Sequence, residues 1–338
     1  MMARLKRRAW LSAGNLALGI LLLWAGWHLF DWAVLQAVFL PDASACHALE
    51  GAGACWGVVA EKYRVIFFGR YPLEEQWRPL LAIFVMLGLL GASAIRRRRG
   101  RRLALLWASG LTVFLLLLKG GLFGLANVDT PRWGGLPLTL MLTVFGLGGA
   151  FPLAVLLALG RVGRWAALRA LCTVFIEIVR GVPLVAVLFM AAFLFPLLMP
   201  KGWDIPSLLR VLVGIILFAG AYMAEVIRGG LLAVPKGQAE AAQSLGLSYW
   251  HVQLSVILPQ ALRKVLPALM NSAIALFKDT SLVIIVGLFE LTGALGLAVD
   301  GDPKWRAFAL DGYLFIAIIY WIGCFAMSRY SRALERTT

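Results

Sequence analysis

Eight stretches of this chain are long and apolar enough to cross a bilayer: residues 10–39, 79–95, 103–126, 134–160, 182–199, 208–228, 268–290 and 310–328. A helix needs roughly 20 predominantly apolar residues to traverse the hydrocarbon core. Of the 338 residues, 61% are hydrophobic and 14% charged, whereas a soluble domain carries about 25% charged residues. The chain reads as an all-α polytopic membrane protein. Its basic first residues and the apolar run behind them could be mistaken for a secretory leader. That run, however, outlasts the usual apolar core of roughly 7–15 residues and ends in no small-x-small cleavage site, so it is expected to persist as a first helix.

A net charge of +15 raises the question of nucleic acid, and the placement of the charge answers it. With the N-terminus inside, the inner segments hold Arg4, Lys6, Arg7, Arg8, Arg96–Arg99, Arg101, Arg102, Arg161, Arg164, Arg169, Arg180, Arg228, Lys236, Arg263, Lys264, Arg329, Arg332 and Arg336. These are 21 of the 32 basic residues, against eight in the outer segments. This is the positive-inside asymmetry; it puts both termini in the cytosol and excludes a nucleic-acid partner.

Cys172 and Cys324 read as packing residues. Cys46 and Cys55 fall in the outer loop as CHALEGAGAC. They either form a disulfide in an oxidising compartment or remain two free small residues. With His47 between them they make no recognised metal set, so no metal site is expected.

Two parts are expected. Residues 1–133 hold three spans, an outer loop (40–78) and an arginine-rich hinge. The stretch WGVVAEKYRVIFFGRYPLEEQW in that loop suits either an interfacial helix or an ordered loop. Residues 134–338 hold five spans, with an inner segment, 229–267, too long for a simple connection. That segment reads as a short helix (Gln238–Leu245), a turn at Gly246 and a second helix from Ser248 to Pro259. Glu240 is expected in a first turn, where a carboxylate favours the helix dipole. Ala241 and Ala242 permit close approach, Gly246 supplies the left-handed position that ends a helix, and Ser248 is an expected N-cap. The unit is shaped to fit a partner's groove.

Along this segment the order Glu-Ala-Ala, three residues, Gly, nine residues, Ile, one residue, Leu-Pro resembles the coupling loop of ABC importer permeases. It falls on Glu240, Ala241, Ala242, Gly246, Val256 (for isoleucine), Leu258 and Pro259. GLPLTLMLTVFGLGGAFPLAVLLALGR, FIEIVRGVPL, FAGAYMAEVIRGGL and FKDTSLVIIVGLFEL are similar to polar amino-acid importer permeases of the histidine and glutamate type. The extension with YPLEEQWRP resembles the longer permease of general L-amino-acid importers. The resemblance implies the transmembrane domain of a type I importer in a bacterial inner membrane. It implies amino-acid uptake from periplasm to cytoplasm through a heterodimeric pore shared with a second homologous permease. Two cytosolic ABC ATPases and a periplasmic amino-acid-binding protein would complete the assembly. The chain has no GxxxxGK[ST] loop, so ATP and Mg belong to the ATPase subunits and the chain itself is no enzyme.

Charges inside the spans are the remaining pointers, because an ionisable group at a helix centre costs about 2.5–3.5 kcal/mol on insertion scales. Lys278 and Asp279 fall at the middle of stretch 268–290, and as neighbours they do not face each other. Asp279 with Thr280 and Ser281 can take the ammonium of a zwitterionic substrate, or Asp279 can brace a neighbouring helix through Arg180. These five residues are the candidate pathway or gate. Glu225 and Arg228 have the spacing of a bracing ion pair. Arg180-Gly181-Val182-Pro183 marks a helix break at the inner face, and Gly146, Gly148 and Gly149 suit close helix packing.

An ion-gradient-driven transporter is the alternative; it would need no docking loop and would show paired repeats with interrupted helices. An intramembrane enzyme would need a constellation around His28, His47 or His251, and none has partners at workable spacing. A reporter enzyme fused after Arg102 is expected to show cytosolic activity; a periplasmic signal there would refute the eight-span topology.

Overall fold

The computed structural model describes residues 2–49, 51–94, 100–122, 124–200 and 202–335. Arg96–Arg99 and Arg336 lie outside the described residues, as do the side chains of Arg4, Lys6, Arg7 and Arg8. Among the described residues, fifteen α-helices follow in chain order: α1 (Met2–Phe30), α2 (Ala43–Ala48), α3 (Gly57–Phe68), α4 (Trp77–Ala94), α5 (Arg101–Lys119), α6 (Gly135–Val162), α7 (Ala166–Gly181), α8 (Leu184–Phe189), α9 (Phe195–Leu198), α10 (Ser207–Leu232), α11 (Lys236–Ser244), α12 (Tyr249–His251), α13 (Leu258–Asp279), α14 (Leu291–Asp300) and α15 (Ala309–Glu335). Among the described residues, seven helical stretches have the length and composition to cross a membrane. An eighth is the pair Ala166–Gly181 and Leu184–Leu198, bent by 103°. The bend has a local cause: proline pushes its predecessor out of the helical region, and Val182 and Pro183 are both extended.

The chain divides into two compact units. The first, Met1–Tyr63 with Ala298–Phe315, is laced together by backbone and side-chain bonds. Asp42 caps α2, accepting from the backbone N–H of Ser44 at 2.9 Å and of Ala45 at 3.4 Å. Bonds from Ser44 favour its charged form and hold its carboxyl below the usual range. Cys46 and Cys55 are disulfide-bonded with their Cα atoms 5.5 Å apart. Trp56 donates from its indole to the Ala33 carbonyl at 2.7 Å. Lys62 meets Asp302 at 2.7 Å and depresses the Asp302 carboxyl.

The second unit, Arg64–Leu297 with Ile316–Thr338, packs α6, α10 and α13 against one another. Small residues set the separation: a Cβ on Gly146 would stand 3.1 Å from Ile215 and 3.3 Å from Leu276, and one on Gly149 2.6 Å from Ile216. Gly148 faces open space instead. The α4–α5 hairpin closes over Arg78, whose side chain is wholly buried. Its guanidinium donates to the carbonyls of Leu117 at 2.8 Å and Ala126 at 2.9 Å, answering carbonyls at and beyond the end of α5 that have no helical partner. Tyr71 donates to the Leu118 carbonyl at 3.0 Å, and burial raises its phenol to about 12.

Gly135 opens α6 at φ +63°, where a Cβ would lie 2.2 Å from the Phe67 carbonyl oxygen. Gly135→Ala is expected to destabilise the protein by about 2 kcal/mol or more, through left-handed strain and overpacking. Gly148→Ala is expected to be neutral; thermal unfolding in detergent compares the two, and equal midpoints would contradict this packing.

Candidate functional site

The inner segment expected to meet a partner is two helical pieces around one tight turn. α11 ends at Ser244, Gly246 takes φ +78°, and two bonds close the turn. They run from Gly246 N–H to the Gln243 carbonyl at 2.8 Å and from Leu247 N–H to the Ala242 carbonyl at 3.3 Å. This is a Schellman closure with glycine in its left-handed position. Beneath the turn Ala242, Val252 and Ile257 are buried, and Val256 and Leu258 pack against the same core. Gln260 donates to Gln238 at 3.2 Å, and Lys264 to the Ala233 carbonyl at 2.6 Å, tying the segment to α13 and to the end of α10. Glu240 and Ala241 face outward. So do Leu245, at 82% exposed, and Trp250, at 59%.

Three expectations need correction. α11 starts at Lys236, so Glu240 is its fifth residue and lies outside the first turn. Ser248 makes no side-chain cap; its hydroxyl lies 2.8 Å from His251 Nδ1. The second helix does not end at Pro259. Residues Val252–Ile257 are π-helical and run directly into α13. A wider turn leaves room for the proline ring that a regular α-helix would exclude.

Glu225 and Arg228 do pair, the Arg228 Nε lying 3.0 and 3.1 Å from the two carboxylate oxygens. They belong to a larger network. Arg161, on the last turn of α6, donates to Glu225 at 2.8 Å and to Glu177 of α7 at 2.7 Å. Arg161 and Glu177 stand 64 and 48 positions from Glu225, separations at which no local spacing rule applies.

Arg180 stands beside α10, with its Cζ 5.5 Å from the centre of the Tyr222 ring and its carbonyl accepting from the Tyr222 hydroxyl at 3.2 Å. Tyr222 lies in the middle third of the 26-residue α10, so the end of α7 before the Gly181–Pro183 break packs beside the middle of that helix. Asp279 is the last residue of α13 rather than the centre of a helix, because α13 begins at Leu258 and a 3₁₀ stretch, Thr280–Val286, follows it. Among the described residues Asp279 forms no salt bridge; the brace to Arg180 is absent, and Arg180 Nε is buried without a partner. Thr280 is buried and donates to the Phe277 carbonyl at 2.7 Å, and Ser281 donates to that of Lys278 at 2.8 Å. Lys278 is exposed. The structure brings Asp279, Thr280 and Ser281 to one helix end with both hydroxyls already engaged.

Among the described residues, the most deeply buried carboxylate was not singled out from the sequence. Glu290 is fully buried and accepts from Tyr320 at 2.7 Å, from Thr139 at 3.2 Å, and from the backbone N–H groups of Thr292 and Gly293 at 2.8 and 3.0 Å. It caps α14 and ties that helix to α6 and α15. The one signal, a glutamate followed by Leu-Thr-Gly at the edge of an apolar run, fits any helix start.

The family described as "binding-protein-dependent transport system inner membrane component" matches residues 150–338. The inner membrane amino-acid ABC transporter permease protein YhdY of Escherichia coli (strain K12) is 46% identical, over 99% of this chain and 92% of its own length. The glutamate/glutamine/aspartate/asparagine transport system permease protein BztC of Rhodobacter capsulatus is 36% identical, over 85% of this chain and 79% of its own. A crystal structure of an amino acid ABC transporter with histidines aligns at TM-score 0.52 and 29% identity, over 60% of this chain and 92% of that one.

The shared carboxylate of Glu225 makes a ranking testable. Glu225→Gln leaves Arg161 and Arg228 without their common acceptor and is expected to cost about 1–3 kcal/mol. Arg228→Gln leaves Glu225 bonded to Arg161 and is expected to cost less. Unfolding midpoints in detergent that place Arg228→Gln lower would contradict the network.

Proposed function

This chain belongs to the family of binding-protein-dependent transport system inner membrane components, and on that premise we propose that it carries amino acids inward, driven by ATPases that dock on the turn around Gly246. Family membership makes it a membrane subunit of an ABC importer, which works with ATPase and binding-protein partners. That membership disfavours the ion-gradient-driven alternative. The relatives at 46% and 36% identity are amino-acid transport permeases by name, and amino acids are our proposal here.

The observation that carries the docking assignment is the exposed tip of the inner segment. Leu245 at 82%, Trp250 at 59% and Leu254 at 49% exposed form an apolar edge beyond the C-terminal end of α10. A side chain as apolar as leucine gains roughly 1.5–3 kcal/mol on full burial, so a partner surface there is favourable. In this reading Glu240, Ala241, Ala242, Gly246, Val256, Leu258 and Pro259 build the coupling unit. Both termini and this segment are cytosolic, and the disulfide-closed loop is periplasmic. Residues 1–133 form a three-helix extension ahead of a five-helix permease core. A second, homologous permease completes the pore, and ATP and Mg are bound by the ATPases.

For the cargo path, Asp279 is the candidate acceptor for a substrate ammonium, being half-buried at a helix end. Arg180, at the broken helix beside Tyr222, is the candidate for a carboxylate. Interrupted helices near the bilayer middle are where transporters place such groups. Asp279→Asn is expected to impair amino-acid uptake in reconstituted importer while leaving subunit recovery unchanged; unimpaired uptake would refute the assignment.

Docking is tested at the tip. Leu245→Asp and Gly246→Asp, the latter also straining a left-handed turn by about 1 kcal/mol or more, are expected to strip the ATPases from purified complex. The protein itself should remain inserted. Full ATPase recovery with both variants would sink the docking assignment.

A further inference from the structure

The inner segment is joined sideways as well as upward. Its vertical links are covalent, through α10 on one side and α13 on the other. Sideways, Arg164 lays its guanidinium on Tyr249, with Cζ 4.4 Å from the ring centre. Tyr249 opens α12, three positions after the Gly246 turn. Arg164 lies just beyond the end of α6, across a turn with little slack. Gly163 is bonded back to the Gly160 carbonyl at 3.3 Å. A Cβ on Gly163 would stand 3.2 Å from the Leu159 oxygen. Three positions before Arg164 is Arg161, clamped by Glu225 of α10 and Glu177 of α7.

The end of α6 is therefore gripped twice, by carboxylates on one side of the Gly163 turn and by the coupling segment on the other. We infer that Arg164 and Tyr249 are positioning residues for coupling: their cation–π contact passes displacement of the docked segment to α6, and through Arg161 to α7 and its break at Gly181–Pro183. Without it, displacement of the segment would reach α6 only indirectly, through α10 and the bond of Arg161 to Glu225. A guanidinium on a ring suits this task, since the attraction tolerates sliding across the face and resists separation. The inference rests on reading the Gly246 turn as the ATPase dock.

The test uses reconstituted importer, with the partner permease, ATPases and binding protein present, and reads substrate taken up per ATP hydrolysed. Arg164→Gln and Tyr249→Leu are each expected to lower that ratio about two- to fivefold, the range of a solvent-accessible cation–π contact. The double variant is expected to be no worse than the poorer single, because each change removes the same contact. Tyr249→Phe keeps the ring and is expected to match the wild type. A ratio unchanged in both single variants, additive losses in the double, or a Tyr249→Phe ratio as low as that of Tyr249→Leu would overturn the inference. Should Arg164→Gln assemble poorly, the Leu-versus-Phe comparison at position 249 still decides. Failure of the docking reading is distinguishable: Leu245→Asp would then leave ATPase recovery intact, whereas failure of the lateral link alone would leave Leu245→Asp disruptive.

Discussion

A bilayer offers neither hydrogen-bond partners nor counterions to what it surrounds, and the meeting of α6, α7 and α10 around Glu225 is organised by that deficit. Arg161, Glu177, Glu225 and Arg228 lie on three separate helices, and each would be costly alone in a nonpolar setting. Glu225 shared between Arg161 and Arg228, and Arg161 shared between Glu225 and Glu177, let α6, α7 and α10 converge, provided the helices also pack closely. Gly146, Gly149 and Gly220 supply the close approach, since a Cβ on any of them would stand 2.6–3.1 Å from a facing side chain. Packing and charge pairing depend on each other here. Wider helices would pull the guanidinium of Arg161 out of reach of Glu225, and an unpaired Glu225 would resist the packing.

The same deficit accounts for the less regular backbone. Where α7 gives way to α8, Val182 and Pro183 are extended, and the Arg180 carbonyl accepts instead from the Tyr222 hydroxyl. Where α13 tightens into a 3₁₀ stretch, Thr280 and Ser281 bond carbonyls three residues back. Irregular segments at such depth persist only where side chains satisfy them. Glu290 does so at the start of α14, with four donors around one carboxylate. Such breaks are also where a helix bundle can bend without tearing its hydrogen bonds.

Much of this was legible in the residues. Runs of twenty apolar residues declare spans because nothing else in a chain has that length and composition. Local chemistry was read well where a residue has one conformational job, as at Gly246 and at the Val182–Pro183 break. It was misread where neighbours decide. Pro259 promised a helix end, but the π-helical stretch before it absorbs the ring. Asp279 was placed at mid-span because the apolar count began at residue 268, whereas α13 begins at Leu258 and ends at Asp279. Long-range pairs left no trace in spacing: Arg161 with Glu225, Thr139 with Glu290, Arg78 with the end of α5, and Arg164 with Tyr249. Each is a meeting of helices, and only the fold brings the partners together.

The account turns on the tip at Leu245 being the surface an ATPase grips. A photo-crosslinking amino acid placed at position 245 of the assembled importer reads that contact without disturbing the buried residues beneath it. The account predicts an ultraviolet-dependent adduct to the ATPase subunit, lost when the ATPases are stripped from the complex before irradiation. An adduct to lipid or to the second permease, with none to the ATPase, would contradict it.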